Sequence, residues 1–87
     1  MTTTTAPARH TVLIDPLAKT DGTHDIATYG EHQAALIRED DGFWFAEDAD
    51  TEQMYTRGVR RTREAAARDF ARALGATGRI DVVIDRD

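Results

Sequence analysis

The feature that most restricts the fold is a turn signal set between two apolar runs. Residues 34–38 read AALIR and residues 43–47 read FWFAE, with Glu39-Asp40-Asp41-Gly42 between them. Asp-Gly suits the centre of a two-residue hairpin loop, because that turn needs φ > 0 at both central positions. With Asp41-Gly42 as the loop, Asp40 pairs with Phe43, Glu39 with Trp44, Arg38 with Phe45 and Ile37 with Ala46. One face then carries Ala35, Ile37, Trp44 and Ala46. The other carries Leu36, Phe43 and Phe45 among Arg38, Asp40 and Glu47. One covering layer hides one face. The apolar groups left on the second face point to a partner surface.

The best helix signal lies downstream, at 62–75 (TREAAARDFARALG). Thr62 is a good N-cap, and Glu64 in the first turn suits the helix dipole. Ala66, Phe70, Ala73 and Leu74 share one face at a period of 3.6, with Ala67 beside them. Glu64, Arg68 and Arg72 lie opposite, and Glu64 with Arg68 forms an i,i+4 pair in the favourable order. Gly75 suits the position just past the end. The alanines keep the apolar stripe flat, so the helix can lie close on a sheet. Before it, 53–57 (QMYTR) reads as a third strand ended by Gly58. After it, 80–85 (IDVVID) reads as the last strand, with Ile80, Val82 and Ile84 on one face and Val83 on the other. A strand, helix and strand in that order suggest a right-handed parallel crossover.

The N-terminal part is less regular. Residues 1–9 (MTTTTAPAR) have nothing to bury and are expected to be a disordered tail. Residues 11–15 (TVLID) are strand-like and stop at Asp15-Pro16, because proline cannot donate to a ladder. Asp21-Gly22 is a turn signal. Residues 25–29 (DIATY) alternate weakly, as a short strand would. The resemblance of TVLID to VVID suggests two strands of one sheet. The organisation read here is a tail at 1–9, an extension at 10–33 with room for added strands, and a core domain at 34–87.

Composition narrows the function. A chain of 87 residues holds one domain with a thin core. Cysteine is absent, which excludes disulfides and thiolate zinc sites. A partner subunit is then the expected supplement to stability, so a homodimer or larger oligomer is expected. The net charge is −5, which disfavours nucleic acid as a partner and favours a basic protein. No stretch has the length of a membrane span, and 1–9 lacks the apolar core of a signal peptide. A cytoplasmic location without membrane attachment is expected.

Little in the sequence supports catalysis. There is no serine, no phosphate-binding glycine loop and no nucleophile elbow. His10, His24 and His32 are not paired on one helical turn, so no metal or other cofactor is expected. Glu39, Asp40 and Asp41 read as a solvated turn. Glu47, Asp48 and Asp50 read as a charged strand edge that blocks edge pairing. Arg57, Arg60, Arg61 and Arg63 are less easily explained. They crowd a helix start, where the dipole disfavours positive charge. Phosphate, RNA or an acidic protein face would want them there. Trp44 and Tyr55 would extend that patch, or form an aromatic cluster under the helix.

Taken together, Asp41-Gly42, Phe43-Trp44-Phe45-Ala46, Thr56-Arg57-Gly58 and Thr62-Arg63-Glu64-Ala65 follow an order that resembles the HicB-like antitoxins. Residues 81–84 look like that family's closing strand, so the resemblance spans 34–85. It implies a β-β-β-α-β fold like a degenerate RNase H domain, without catalytic residues. It also implies oligomerisation and binding to a small basic ribonuclease toxin. Members usually carry a C-terminal helix-turn-helix or ribbon-helix-helix for operator DNA. This chain ends at Asp87, so operator binding is not expected.

The reading is therefore an α+β domain: a three-stranded antiparallel meander, one amphipathic helix and a final strand, with an N-terminal extension. It is expected to be a non-catalytic, antitoxin-like module that uses Trp44, Tyr55, Arg57, Arg60 and Arg61 toward its partner. The alternatives are a small DNA-binding domain of the kind found as arm domains in tyrosine integrases, motivated by Arg57–Arg63, and an accessory protein of a phage or mobile element.

Overall fold

The computed structural model describes residues 10–16 and 24–85. The tail at 1–9 and the turn at Asp21-Gly22 lie outside the described residues. Strands β1 (His10–Asp15), β2 (Asp25–Tyr29), β3 (His32–Arg38) and β4 (Trp44–Asp48) precede helix α1 (Arg63–Ala73) and strand β5 (Ile80–Ile84). The fold is α+β, with one helix between the fourth and last strands. The sheet order is β4-β3-β2-β1-β5, with β1 and β5 parallel and the other pairs antiparallel.

The segment read from sequence as an extension supplies β1 and β2, two of the three inner strands. Val12 and Ile14 of β1 and Ala27 of β2 are fully buried in the core. TVLID and VVID are neighbours in parallel register, with Val12 opposite Val82 and Ile14 opposite Ile84. The helix therefore does not join adjacent parallel strands. It carries the chain from the β4 edge across one face to the opposite edge, touching β4, β3, β1 and β5.

Both helix ends match their signals. Thr62 Oγ1 accepts from the Ala65 N–H at 3.1 Å. At the far end the Gly75 N–H donates to Arg72 O and the Ala76 N–H to Ala71 O, both at 3.0 Å. This double closure needs a left-handed residue at its corner, and Gly75 has φ +105°. Ala66, Ala67, Phe70 and Ala71 are buried. Ala71 thus takes the place expected for Ala73, which lies exposed. Arg68 donates to the Ile80 carbonyl at 3.1 Å and so ties α1 to β5, rather than pairing with Glu64.

The hairpin corrects the expected register by one residue. Arg38 faces Trp44, Ile37 faces Phe45 and Leu36 faces Ala46. Within the loop only Gly42 has positive φ, at +88°. The Gly42 N–H donates to Glu39 O, and the Glu39 N–H to Phe43 O, each at 2.8 Å. This is a three-residue loop, a tight turn closed by a left-handed glycine, and Asp-Gly serves it as well as the two-residue form. A one-residue slip moves one strand's side chains to the other face of its partner. Leu36, Trp44 and Ala46 now share the helix side, and Ala35, Ile37 and Phe45 share the other.

Residues 53–57, expected as a third meander strand, run along β4 without forming a regular strand. Bridges join Glu47 to Met54 and Trp44 to Arg60. Between them the chain bulges away from β4. Buried Thr56 covers the gap, its Oγ1 accepting from the Ala46 N–H at 3.4 Å. The bulged segment covers the free edge of β4, which protects it from edge pairing. Among the described residues no helix is long and apolar enough to cross a membrane.

Candidate functional site

Two surfaces of opposite character result. The first is the sheet face away from α1. Alternation along the strands places Leu13, Ile26, Ala35, Ile37, Phe45 and Val83 there, in a stripe that crosses all five strands. Leu13 is 38% exposed and Val83 48%, while Ile26, Ile37 and Phe45 are half-buried. The charged strand positions on this face are Asp15, Glu47 and Asp81. All three are carboxylates. Asp81 is paired with Arg79 at 3.0 Å. Among the described residues no arginine or lysine occupies a strand position on this face.

The second surface lies between the bulge and the outer side of α1. It is a pocket of about 420 Å³ lined by Tyr55, Arg57, Arg60, Asp69, Arg72 and Ala73. Arg60 is held by Asp69, with Nε donating at 2.6 Å and Nη2 at 3.1 Å. Arg72 Nη1 stands 3.7 Å from the same carboxylate. Arg57 is exposed and makes no ion pair among the described residues. The Tyr55 ring packs on Phe70, with centroids 4.9 Å apart, while its hydroxyl donates to Asp48 Oδ2 at 2.7 Å.

That last bond sets the protonation of both partners. Asp48 also accepts from the Asp50 and Thr51 N–H groups, at 2.8 and 2.9 Å, and so closes the loop after β4. The Tyr55 hydroxyl bond, then the two backbone bonds, hold the Asp48 pKa down at about 2. The Tyr55 phenol is pushed up to about 12, first by its bond to Asp48 and then by burial. The pair is a loop clasp with both groups in their ordinary charge states at neutral pH. It offers no poised acid or base.

The structure therefore brings together three of the residues singled out from sequence, Tyr55, Arg57 and Arg60. Trp44 sits apart, half-buried against the core, with its backbone bridged to Arg60. Arg61 is exposed and does not line the pocket. Arg63 leaves the patch altogether and donates to buried Asp25 at 2.7 Å, joining the start of α1 to β2. Sequence reasoning missed Asp69 and Arg72. Their signal was helical phase: three residues apart on the polar side, they can pair with each other. Among the described residues no three His, Asp or Glu side chains are grouped to hold a metal ion.

Compared with known proteins, the chain matches no family model, no curated protein and no solved structure. These comparisons neither support nor contradict the HicB-like resemblance.

Proposed function

We propose that this chain is a non-catalytic, antitoxin-like binding module that neutralises a small basic protein, such as a ribonuclease toxin, in the cytoplasm. The observation that carries this reading is the open sheet face: an apolar stripe whose charged strand positions are all acidic. Apolar side chains on an uncovered sheet face favour burial against a second surface. The carboxylates at its border steer and orient a positively charged one. Arg57, Arg60 and Arg72 lie together on the helix side, where a basic partner would be repelled. Charge thus directs such a partner to the sheet face, away from Arg57, Arg60 and Arg61.

Self-association belongs to the same proposal and uses another surface. Among the described residues β5 pairs only with β1. Its outer edge keeps backbone groups that a second copy can satisfy by extending the sheet. The two contacts do not compete, because one lies at an edge and the other on a face.

The test begins with the neighbouring genes, where the reading expects a short frame encoding a small basic protein. Its purified product should bind this chain, and its toxicity on expression should be relieved by co-expression. Leu13→Asp or Phe45→Asp should abolish both effects in a folded protein. Arg57→Ala should leave both intact. Binding that survives Leu13→Asp and Phe45→Asp, or no basic neighbour at all, would refute the proposal.

A further inference from the structure

The arginine pocket has no use in that reading, yet its construction is specific. Arg57, Arg60 and Arg72 bring three positive charges and Asp69 one negative charge, which leaves a surplus of two. That surplus stands on a chain whose net charge is −5. The single carboxylate reaches Arg60 and Arg72, and among the described residues Arg57 has no counter-charge. A purely structural clasp between bulge and helix would need only Arg60 and Asp69. It accounts for neither Arg57 nor the approach of Arg72.

We propose that this pocket binds a phosphate group. A phosphate monoester carries a charge of about −1.5 to −2 and three acceptor oxygens, so it offsets the surplus that a carboxylate would only halve. Guanidinium forks match phosphate oxygens in geometry. Asp69 is the positioning residue. It holds Nε and Nη2 of Arg60, which leaves Nη1 outside that bidentate pair and lowers the ordering cost of binding. The bulge between Tyr55 and Arg60 places Arg57 in the lining of the pocket. At about 420 Å³ the space exceeds one phosphate. The Tyr55 ring and Ala73 form a wall for whatever carries it, and the Tyr55 proton is committed to Asp48. The site is open, since Arg60 and Arg72 keep 51% and 53% of their side-chain surface exposed. It suits reversible binding.

The experiment is a titration of the full chain, followed by arginine Nε and backbone NMR signals at constant ionic strength. It has three arms: inorganic phosphate, a 5′-mononucleotide and a short single-stranded oligonucleotide, each against a chloride control. Saturable shifts at Arg57, Arg60 and Arg72 in at least one arm are expected. Arg57→Ala and Arg72→Ala should each weaken affinity about tenfold, the loss of one charge-assisted hydrogen bond. Arg57→Lys should recover part of it, and Arg79→Ala should change nothing. Equal affinity for phosphate and mononucleotide means the group alone is read. Tighter mononucleotide binding adds the Tyr55 wall, and preference for the oligonucleotide with a steep salt dependence identifies a nucleic acid source. Absence of saturation in every arm overturns the proposal. So do shifts at Arg79 as large as those in the pocket, or affinity untouched in both alanine variants. Leu13→Asp leaves this binding unchanged, which separates it from the partner reading.

Discussion

Ile14→Ala, set beside Leu13→Ala, tests whether the N-terminal segment is a working part of the sheet. The two leucine-sized side chains are adjacent in β1. Ile14 is fully buried on the helix side, and Leu13 is 38% exposed on the open face. Each change to alanine removes three carbons. At Ile14 the transfer loss is about 2.4 kcal/mol, at about 0.8 per carbon. A residual cavity adds about 1 kcal/mol, because the neighbouring positions Ala27 and Ile84 are held in register and cannot close it. The total is about 3–4 kcal/mol, close to the whole stability of a small domain at about 3–5. At Leu13 part of the side chain already meets water and no cavity forms, so about 1 kcal/mol is expected. Urea denaturation followed by circular dichroism at 222 nm measures both. Where Ile14→Ala is too unstable to fold, Ile14→Val should still cost about 1 kcal/mol. Equal losses at the two positions would refute the face assignment of β1. A loss below about 1 kcal/mol at Ile14→Ala would show that 34–87 folds without it. Leu13→Ala should instead weaken partner binding, so stability and function part company between adjacent residues.

Three further outcomes follow from other contacts. The Asp48 pKa near 2 lies below its ordinary 3.8, so its contribution to stability is present above about pH 4 and is lost as pH falls through 2. The Tyr55 phenol near 12 lies above its ordinary 10, so its contribution is present below pH 10 and fades as pH rises toward 12. Tyr55→Phe should return Asp48 toward its ordinary value in a carboxyl-carbon NMR titration, and an unmoved Asp48 would exclude the hydroxyl as cause. Gly75→Ala meets no atom within 4 Å, so its cost is backbone strain alone, about 1 kcal/mol; a neutral result in thermal melts would show that the helix end relaxes. Arg63→Ala removes the arginine paired with buried Asp25 and should cost about 1–3 kcal/mol, short of a fully buried pair because Arg63 keeps 27% of its side chain exposed. A double-mutant cycle with Asp25→Ala should show coupling above about 1 kcal/mol, and additive losses would argue against the pair.

The local elements were legible because each rests on short-range chemistry. Thr62 and Gly75 mark the helix ends by capping bonds that involve only neighbours. Asp25–Tyr29 is a strand where the alternation placed one, and β1 stops at Asp15 before proline. The apolar surplus on a second sheet face was also visible in the hairpin residues, although which residues composed it was not. Asp41-Gly42 is compatible with loops of two or three residues. The choice between them, and with it the sorting of Leu36 from Ile37, came from backbone bonds at Glu39.

Longer-range order was decided by the tertiary structure alone. The likeness of TVLID to VVID placed both in one sheet, but it did not make them parallel neighbours, and nothing local says that 10–33 supplies two of the three inner strands. That pairing is selected by burial of Val12 and Ile14 beneath one helix, a cooperative gain that no local signal carries. The arginines show the same division. Their density was plain in the sequence. Only the bulge and the helix packing separated them, tying Arg63 to Asp25, Arg60 to Asp69, and leaving Arg57 exposed in the lining of a pocket. Composition sets how much charge and apolar surface a chain has to place, and the packing decides which face receives each.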